Sequence, residues 1–188
     1  MGMVKKLFNF TAEDISAGKY TSWDLINPMW HEVSIYEGLD VYNRDLKPFS
    51  LGQRRIFAIM WYDAEVVNGG HDQFFSNSTG IVWKDALDGL KMVGADKLAE
   101  NLQKAVDLFG GEVPFDRIER CEILDKITSN PDYDENDEGS EKWLDVFSDM
   151  DSVYYSEIYY DELELIEVYV KNHPEEFVLN GEFEVYES

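Results

Sequence analysis

The chain has 188 residues, 44% of them apolar and 14% aromatic, which is enough to bury a core and excludes general disorder. Its formal charge of −23 excludes a surface that attracts nucleic acid or anionic membranes and favours basic partners. The single cysteine, Cys121, excludes an internal disulfide.

Near the start, Lys5 and Lys6 precede only a short apolar patch, too small for a secretory signal. No run approaches the ~20 apolar residues of a membrane span, so the reading is a cytoplasmic protein. Residues 22–38 carry Trp23, Ile26, Met29, Trp30, Val33 and Ile35 at helical spacing, which fits either one helix or two pieces with Pro28 in the first turn of the second. Ser50 reads as the N-cap of a helix through Val67, with Ile56, Ile59, Met60 and Ala64 as its core stripe. Helices follow over 80–93, 95–109 and 114–127, the second stopped by Gly110 and Gly111. A polar acidic loop occupies 131–138. Beyond it, 141–147 and 152–170 read as helices, and Tyr155, Tyr159, Leu163, Ile166 and Val170 form an apolar stripe. Trp143 and the pairs Tyr154-Tyr155 and Tyr159-Tyr160 read mainly as core. The tail FVLNGEFEVYES fits either a short hairpin around Asn180-Gly181 or an irregular end. The expected architecture is all-α: one domain over 1–188, a helical bundle of about seven to nine helices with that short C-terminal hairpin as an option.

Between two of these helices lies NGGHDQFFSNSTG. Asn68, Gly69 and Gly70 stand where a helix should stop, since glycine past a helix end adopts the left-handed conformation without a Cβ penalty. Gln73 and Asn77 are four apart and share a face. Phe74 and Phe75 point into the core, and Ser78 and Thr79 are placed to cap the next helix at Gly80. The expectation is a structural corner whose amides tie buried backbone groups. The alternative is a polar pocket with His71 and Asp72 as acid and base. An open pocket lined by His71, Asp72, Gln73 and Asn77 would favour that enzyme, and a buried, fully hydrogen-bonded corner would remove it.

The pattern N-G-G-x-x-Q-F-F-x-N-x-x-G, formed by Asn68, Gly69, Gly70, Gln73, Phe74, Phe75, Asn77 and Gly80, closely resembles the signature of a bacterial family of DNA-mimic proteins. The likeness covers roughly residues 25–110 and includes the Met92-Val93-Gly94-Ala95 step. His71 stands where the resemblance leads one to expect a large aromatic. The resemblance implies an all-α fold and, for the characterised type, a dimer whose carboxylates imitate DNA phosphates and occupy a transcription factor.

The signature lies in the near-neutral half of the chain. Residues 1–94 carry 12 acidic and 9 basic side chains, net −3, whereas residues 95–188 carry 27 and 7, net −20. A signature-bearing core is therefore expected over about 22–110 and an acidic helical half over about 111–188. Duplex DNA shows one charge per about 1.7 Å of axis. Helix side chains three or four apart lie about 5–6 Å apart, so a helix edge of carboxylates approximates one strand's phosphates. The expected partner face is Asp132, Asp134, Glu135, Asp137 and Glu138 in the loop, the row Glu141, Asp145 and Asp149, and the row Glu157, Asp161, Glu164 and Glu167.

Other chemistry has thinner support. From Asp134, residues Asn136, Glu138, Gly139 and Asp145 partly match a calcium loop, but the twelfth position is Asp rather than a bidentate Glu, and Glu141 replaces an apolar residue. His31, His71 and His173 are widely separated and lack the spacing of a zinc or di-iron site. No metal and no cofactor is expected. The leading expectation is a non-enzymatic protein that holds a basic DNA-binding protein and binds no nucleic acid or membrane itself. The alternative is an immunity-type inhibitor of a basic toxin or nuclease; an enzyme using the corner at 68–80 ranks behind both.

Overall fold

The computed structural model describes residues 2–137 and 139–186. It is an all-α single-domain bundle with one added β-ribbon. The elements in chain order are β1 (Met3–Phe10), α1 (Ala12–Ser16), α2 (Ser22–Ile26), α3 (Met29–Glu32), α4 (Leu39–Asp45), α5 (Leu51–Ser76), α6 (Trp83–Val93), α7 (Asp96–Asp107), α8 (Arg117–Thr128), α9 (Ser148–Tyr154), α10 (Glu157–Asn172) and β2 (Leu179–Tyr186). Short 3-10 turns occupy Ser78–Val82 and Pro174–Phe177.

Helix α5 starts as the sequence leads one to expect. The Ser50 hydroxyl accepts from the Gln53 backbone N–H, and the Gln53 side chain accepts from the Ser50 N–H, a reciprocal cap that satisfies two otherwise orphaned donors. Gln53 also donates to the Leu25 carbonyl at 2.8 Å, fastening α5 to α2. Ile56, Ile59, Tyr62, Val66, Phe74 and Phe75 are completely buried along α5, making it the central pillar. Helices α6, α8 and α9 pack around it, so the near-neutral and acidic halves share one core.

Two expectations need correction. The C-terminal tail is β-structure, but Asn180-Gly181 is not a turn. Strand β2 pairs antiparallel with β1, Gly181 opposite Phe8 and Leu179 opposite Phe10, so the two ends of the chain are bound together. The apolar patch after Lys5 and Lys6 is thus half of this ribbon. Phe8, Phe10 and Phe183 bury its inner face. Residues 141–147 are not helical. They lie irregular, with Trp143 bridged to Ser129 and the Leu144 N–H donating to the Thr128 carbonyl at 2.7 Å. The spacing of four that suggested a helix puts like charges at i and i+4, and such pairs destabilise helices.

Candidate partner-binding face and the corner that supports it

The corner is built from close approaches. Helix α5 kinks at Gly69 and Gly70, and Gly70 takes φ +74°, a left-handed backbone that side chains disfavour. A Cβ on Gly69 would meet the Gln73 Oε1 at 2.2 Å, and one on Gly70 would meet the Asp151 Oδ2 at 2.3 Å. Gly80 leaves room for Arg120, whose Nε would lie 2.5 Å from a Cβ there. Each of the three glycines therefore admits a polar side chain to the backbone.

Those side chains form three hubs. Glu65 accepts from Gln73 Nε2 at 2.7 Å, Asn77 Nδ2 at 2.9 Å and the Thr79 hydroxyl at 3.0 Å. The amides thus tie a carboxylate, not backbone groups, and Thr79 faces Glu65 instead of capping a helix. Neither Ser78 nor Thr79 serves as an N-cap, because the segment beginning at Ser78 has no side-chain cap and passes directly into α6. Arg120, fully buried, donates to the carbonyls of Phe75, Asn77, Pro114 and Phe115. It gathers carbonyls at the end of α5, where the helix dipole favours a cation. Burial first of all brings its pKa down to about 10.

The third hub joins the halves. His71 is fully buried. Its backbone N–H donates to Asp151 Oδ1 at 2.9 Å, and its Nδ1 lies 2.5 Å from the same oxygen. Its Nε2 lies 2.8 Å from the Tyr62 hydroxyl. Burial, with lesser contributions from Asp151 and Asp63, raises the Tyr62 pKa well above its ordinary value, so Tyr62 keeps its proton. A carboxylate oxygen accepts, so the hydrogen between His71 and Asp151 is carried on His71 Nδ1. With Tyr62 and His71 both sealed from solvent, this chain of bonds fastens α9 to the corner. The acid–base pair of His71 and Asp72 is not formed, because His71 is committed to Asp151. Asp72 instead lines a cleft of about 480 Å³ with Asp125, Asp145 and Trp143. Burial, then the neighbouring Asp151, Asp125 and Asp145, raises the Asp72 carboxyl above its usual range.

The acidic half divides in two. Asp132, Asp134, Glu135, Asp137, Glu141, Asp145 and Asp149 are all exposed. None lies within ion-pair distance of a cation among the described residues. Glu138 lies outside the described residues, as does the side chain of Glu157. Asp161 and Glu164 are exposed on α10. Glu167, expected in the outer row, is exposed and also bonded within the fold: it accepts from the Ser22 hydroxyl at 2.6 Å and the Ser22 N–H at 3.0 Å, at the start of α2. Glu162, which sequence reasoning passed over, does the same for α7 through the Lys97 and Leu98 N–H groups. Carboxylates at helix N-termini satisfy orphaned donors and complement the dipole. The row Glu141, Asp145, Asp149 does not exist as a helix edge, since 141–147 is irregular.

The loop before that segment is shaped by its own polar groups. Asp134 Oδ1 accepts from the Asn136 N–H at 2.9 Å and its amide at 3.0 Å, which hold the Asp134 carboxyl below the usual range. Asn130 pins the far side through the carbonyls of Lys142 and Glu141. A calcium loop runs straight into its exiting helix, whereas here 141–147 is irregular and α9 begins only at Ser148. Among the described residues no group of three or more His, Cys, Asp or Glu is placed to hold a metal. Trp143 and Tyr155, read as core, are half exposed, whereas Tyr154 is buried with its hydroxyl 3.0 Å from Asp63. The Tyr159-Tyr160 side chains lie outside the described residues. Within the expected apolar stripe, Ile166 and Val170 are buried, and Tyr155 falls before α10 begins.

A family model described as DMP19-like protein matches residues 47–173. The chain belongs to the DMP19-like protein family. The matched span includes all eight signature positions and runs on through α8, α9 and α10, further than the resemblance drawn from the signature, which ended near 110. Comparison with curated proteins and with solved structures gives no match. The DMP19-like span thus contains the corner, the acidic loop and the joint between them in a single unit. No helix among the described residues is long and apolar enough to cross a membrane.

Proposed function

We propose that this DMP19-like protein is a non-enzymatic binding protein that occupies the basic, nucleic-acid-binding surface of another protein in place of DNA. The observation that carries the reading is the unneutralised run from Asp132 to Asp149. Seven exposed carboxylates are presented there on a backbone held by Asn130, the Ser129–Trp143 bridge and the His71–Asp151 joint. Exposed like charges without counterions repel one another, and a basic surface relieves that repulsion as it binds. The sealed Tyr62–His71 pair supports the non-enzymatic side of the reading, because neither side chain can reach a substrate.

The test uses the full chain as bait in lysate of its source at low and moderate salt. The comparison is a variant carrying Asp132→Lys, Glu135→Lys, Asp145→Lys and Asp149→Lys. None of these four side chains makes a hydrogen bond among the described residues, so helicity should be retained. A basic DNA-binding protein held by the native chain, released by DNA and lost in the variant, is the expected result. Equal retention by both proteins would overturn the reading. Capture of a basic nuclease or toxin, with no DNA-binding protein, would replace it by an inhibitor acting through the same face.

A further inference from the structure

A second place on the molecule has the makings of a site, and it lies in the near-neutral half. Beside the corner is a cleft of about 240 Å³ whose lining includes Tyr36, Trp61, Glu65, Asn77, Thr79 and Arg117. Glu65 is half-buried, and all three of its hydrogen-bond donors are neutral: Gln73, Asn77 and Thr79. No cation lies within 4.0 Å of it among the described residues. Arg117, the one basic residue in the lining, spends its Nε on the Ser76 carbonyl at 2.8 Å and stays beyond ion-pair distance of Glu65. The carboxylate is fixed in place, yet it has no direct ion pair among the described residues. A half-buried charge held only by neutral donors is an unusual expense for a fold, since such charges are ordinarily paired.

We propose that this cleft binds an organic cation, the ammonium or guanidinium end of a lysine- or arginine-type group. A carboxylate has about four acceptor positions, and neutral donors fill three on Glu65: two on Oε2 and one on Oε1. An N⁺–H donor completes the set on Oε1 and supplies the missing charge. Trp61 and Tyr36 provide the aromatic surroundings that favour cations over neutral guests. Trp61 is held rigid by Trp30, its ring 4.9 Å away, which in turn stacks on Trp23. Tyr36 is 75% exposed and stands at the open side. The volume falls below the roughly 300–1,000 Å³ of sites for drug-sized ligands, so it suits one extended side chain and excludes a nucleotide or a large cofactor.

The test is a titration of the full chain followed by ¹H–¹⁵N spectra, reading the Trp61 indole and the Asn77 side-chain amide. The probes are N-acetyl-arginine amide and N-acetyl-lysine amide, with the citrulline and norleucine analogues as neutral comparators. Saturable shifts are expected for the cations, with affinity at least ten-fold weaker for the neutral analogues. Glu65→Gln removes the response. Because that change also loosens the corner, Tyr36→Ala is the second variant: its exposed side chain is dispensable for folding, and binding should weaken at least three-fold. The four-lysine variant of the acidic face should bind the probes unchanged, which separates this site from the proposed partner face. Butylammonium binding as tightly as the capped lysine would assign the site to free amines; a requirement for the capped residue would assign it to a partner's side chain. Citrulline matching arginine, or shifts that vanish in the four-lysine variant but persist in Tyr36→Ala, would overturn the proposal.

Discussion

The corner at 65–80 and the acidic run at 132–149 treat charge in opposite ways. In the corner, Arg120 and His71 are sealed from solvent and every side-chain nitrogen on them has a partner. In the run, carboxylates stand in water with no counterion among the described residues. Burial obliges a polar group to find partners inside the fold, whereas exposure leaves it available to partners outside. The joint between the two regions is Asp151, which is acidic in sequence and structural in position.

The largest break in this contrast should come from Arg120→Met. It keeps much of the side-chain volume and strands the four carbonyls that Arg120 serves. We expect a loss of about 3–5 kcal/mol, because each buried carbonyl left without a donor costs about 1–3 kcal/mol, measured by urea denaturation. A loss near zero would mean that the carbonyls find water instead. Next is Asp151→Ala, which leaves the His71 N–H and Nδ1–H without acceptor at about 1–3 kcal/mol of unmet hydrogen bonding. Hydrogen exchange at α9 should rise more than at α6, because Asp151 is what binds α9 to the kink.

Asp72→Asn acts in the other direction and depends on pH. The Asp72 carboxyl is raised above 3.8 by burial and neighbouring carboxylates, so the folded state holds its proton more tightly than the unfolded state does. Its contribution to stability is therefore present below the unfolded value and is lost as pH rises through the folded one. The amide removes that loss. The variant should be slightly more stable than the native chain at pH 7, by less than about 1 kcal/mol because the group is partly exposed. The advantage should disappear below about pH 4, near the unfolded value. An advantage that is independent of pH would place its origin in packing.

How much of this was legible in the sequence depends on the distance over which each interaction acts. The Ser50 cap, the break at Gly69-Gly70 and the stop at Gly110 are local, and their residue chemistry announces them. The shared face of Gln73 and Asn77 was readable, but the carboxylate they meet was not, because Glu65 precedes the kink and helical spacing does not carry across it. The His71–Asp151 contact spans 80 positions, and the β1–β2 ribbon joins the two ends of the chain; nothing in local periodicity signals either. In the candidate face, exposure was foreseen for the loop acids. The geometry of Glu141, Asp145 and Asp149 was misread because spacing suggested a helix where mutual repulsion opposes one. The bond from Glu167 to the start of α2 was not readable, because helical periodicity says which side a residue faces, not whether another helix begins there.

The smallest expected effect sharpens the contrast without perturbing any buried group. Replacing Asp132, Glu135, Asp145 and Asp149 by their amides should change stability at moderate salt by no more than about 0.5 kcal/mol, as for other surface changes. Its signature is in the salt response. Raising ionic strength from about 0.01 M to about 1 M shortens the screening length from about 30 Å to about 3 Å and suppresses repulsion among exposed charges. The native Tm should rise over that range, and the four-amide variant should rise less. Asp151→Ala, destabilised for a different reason, should keep most of the native salt response, because it removes a bonded carboxylate and leaves the unpaired run intact. If the four-amide protein responded to salt as the native chain does, the strain of the acidic half would have to lie elsewhere, in α10 or the tail. The run from Asp132 to Asp149 would then lose its standing as the charge that a basic partner relieves.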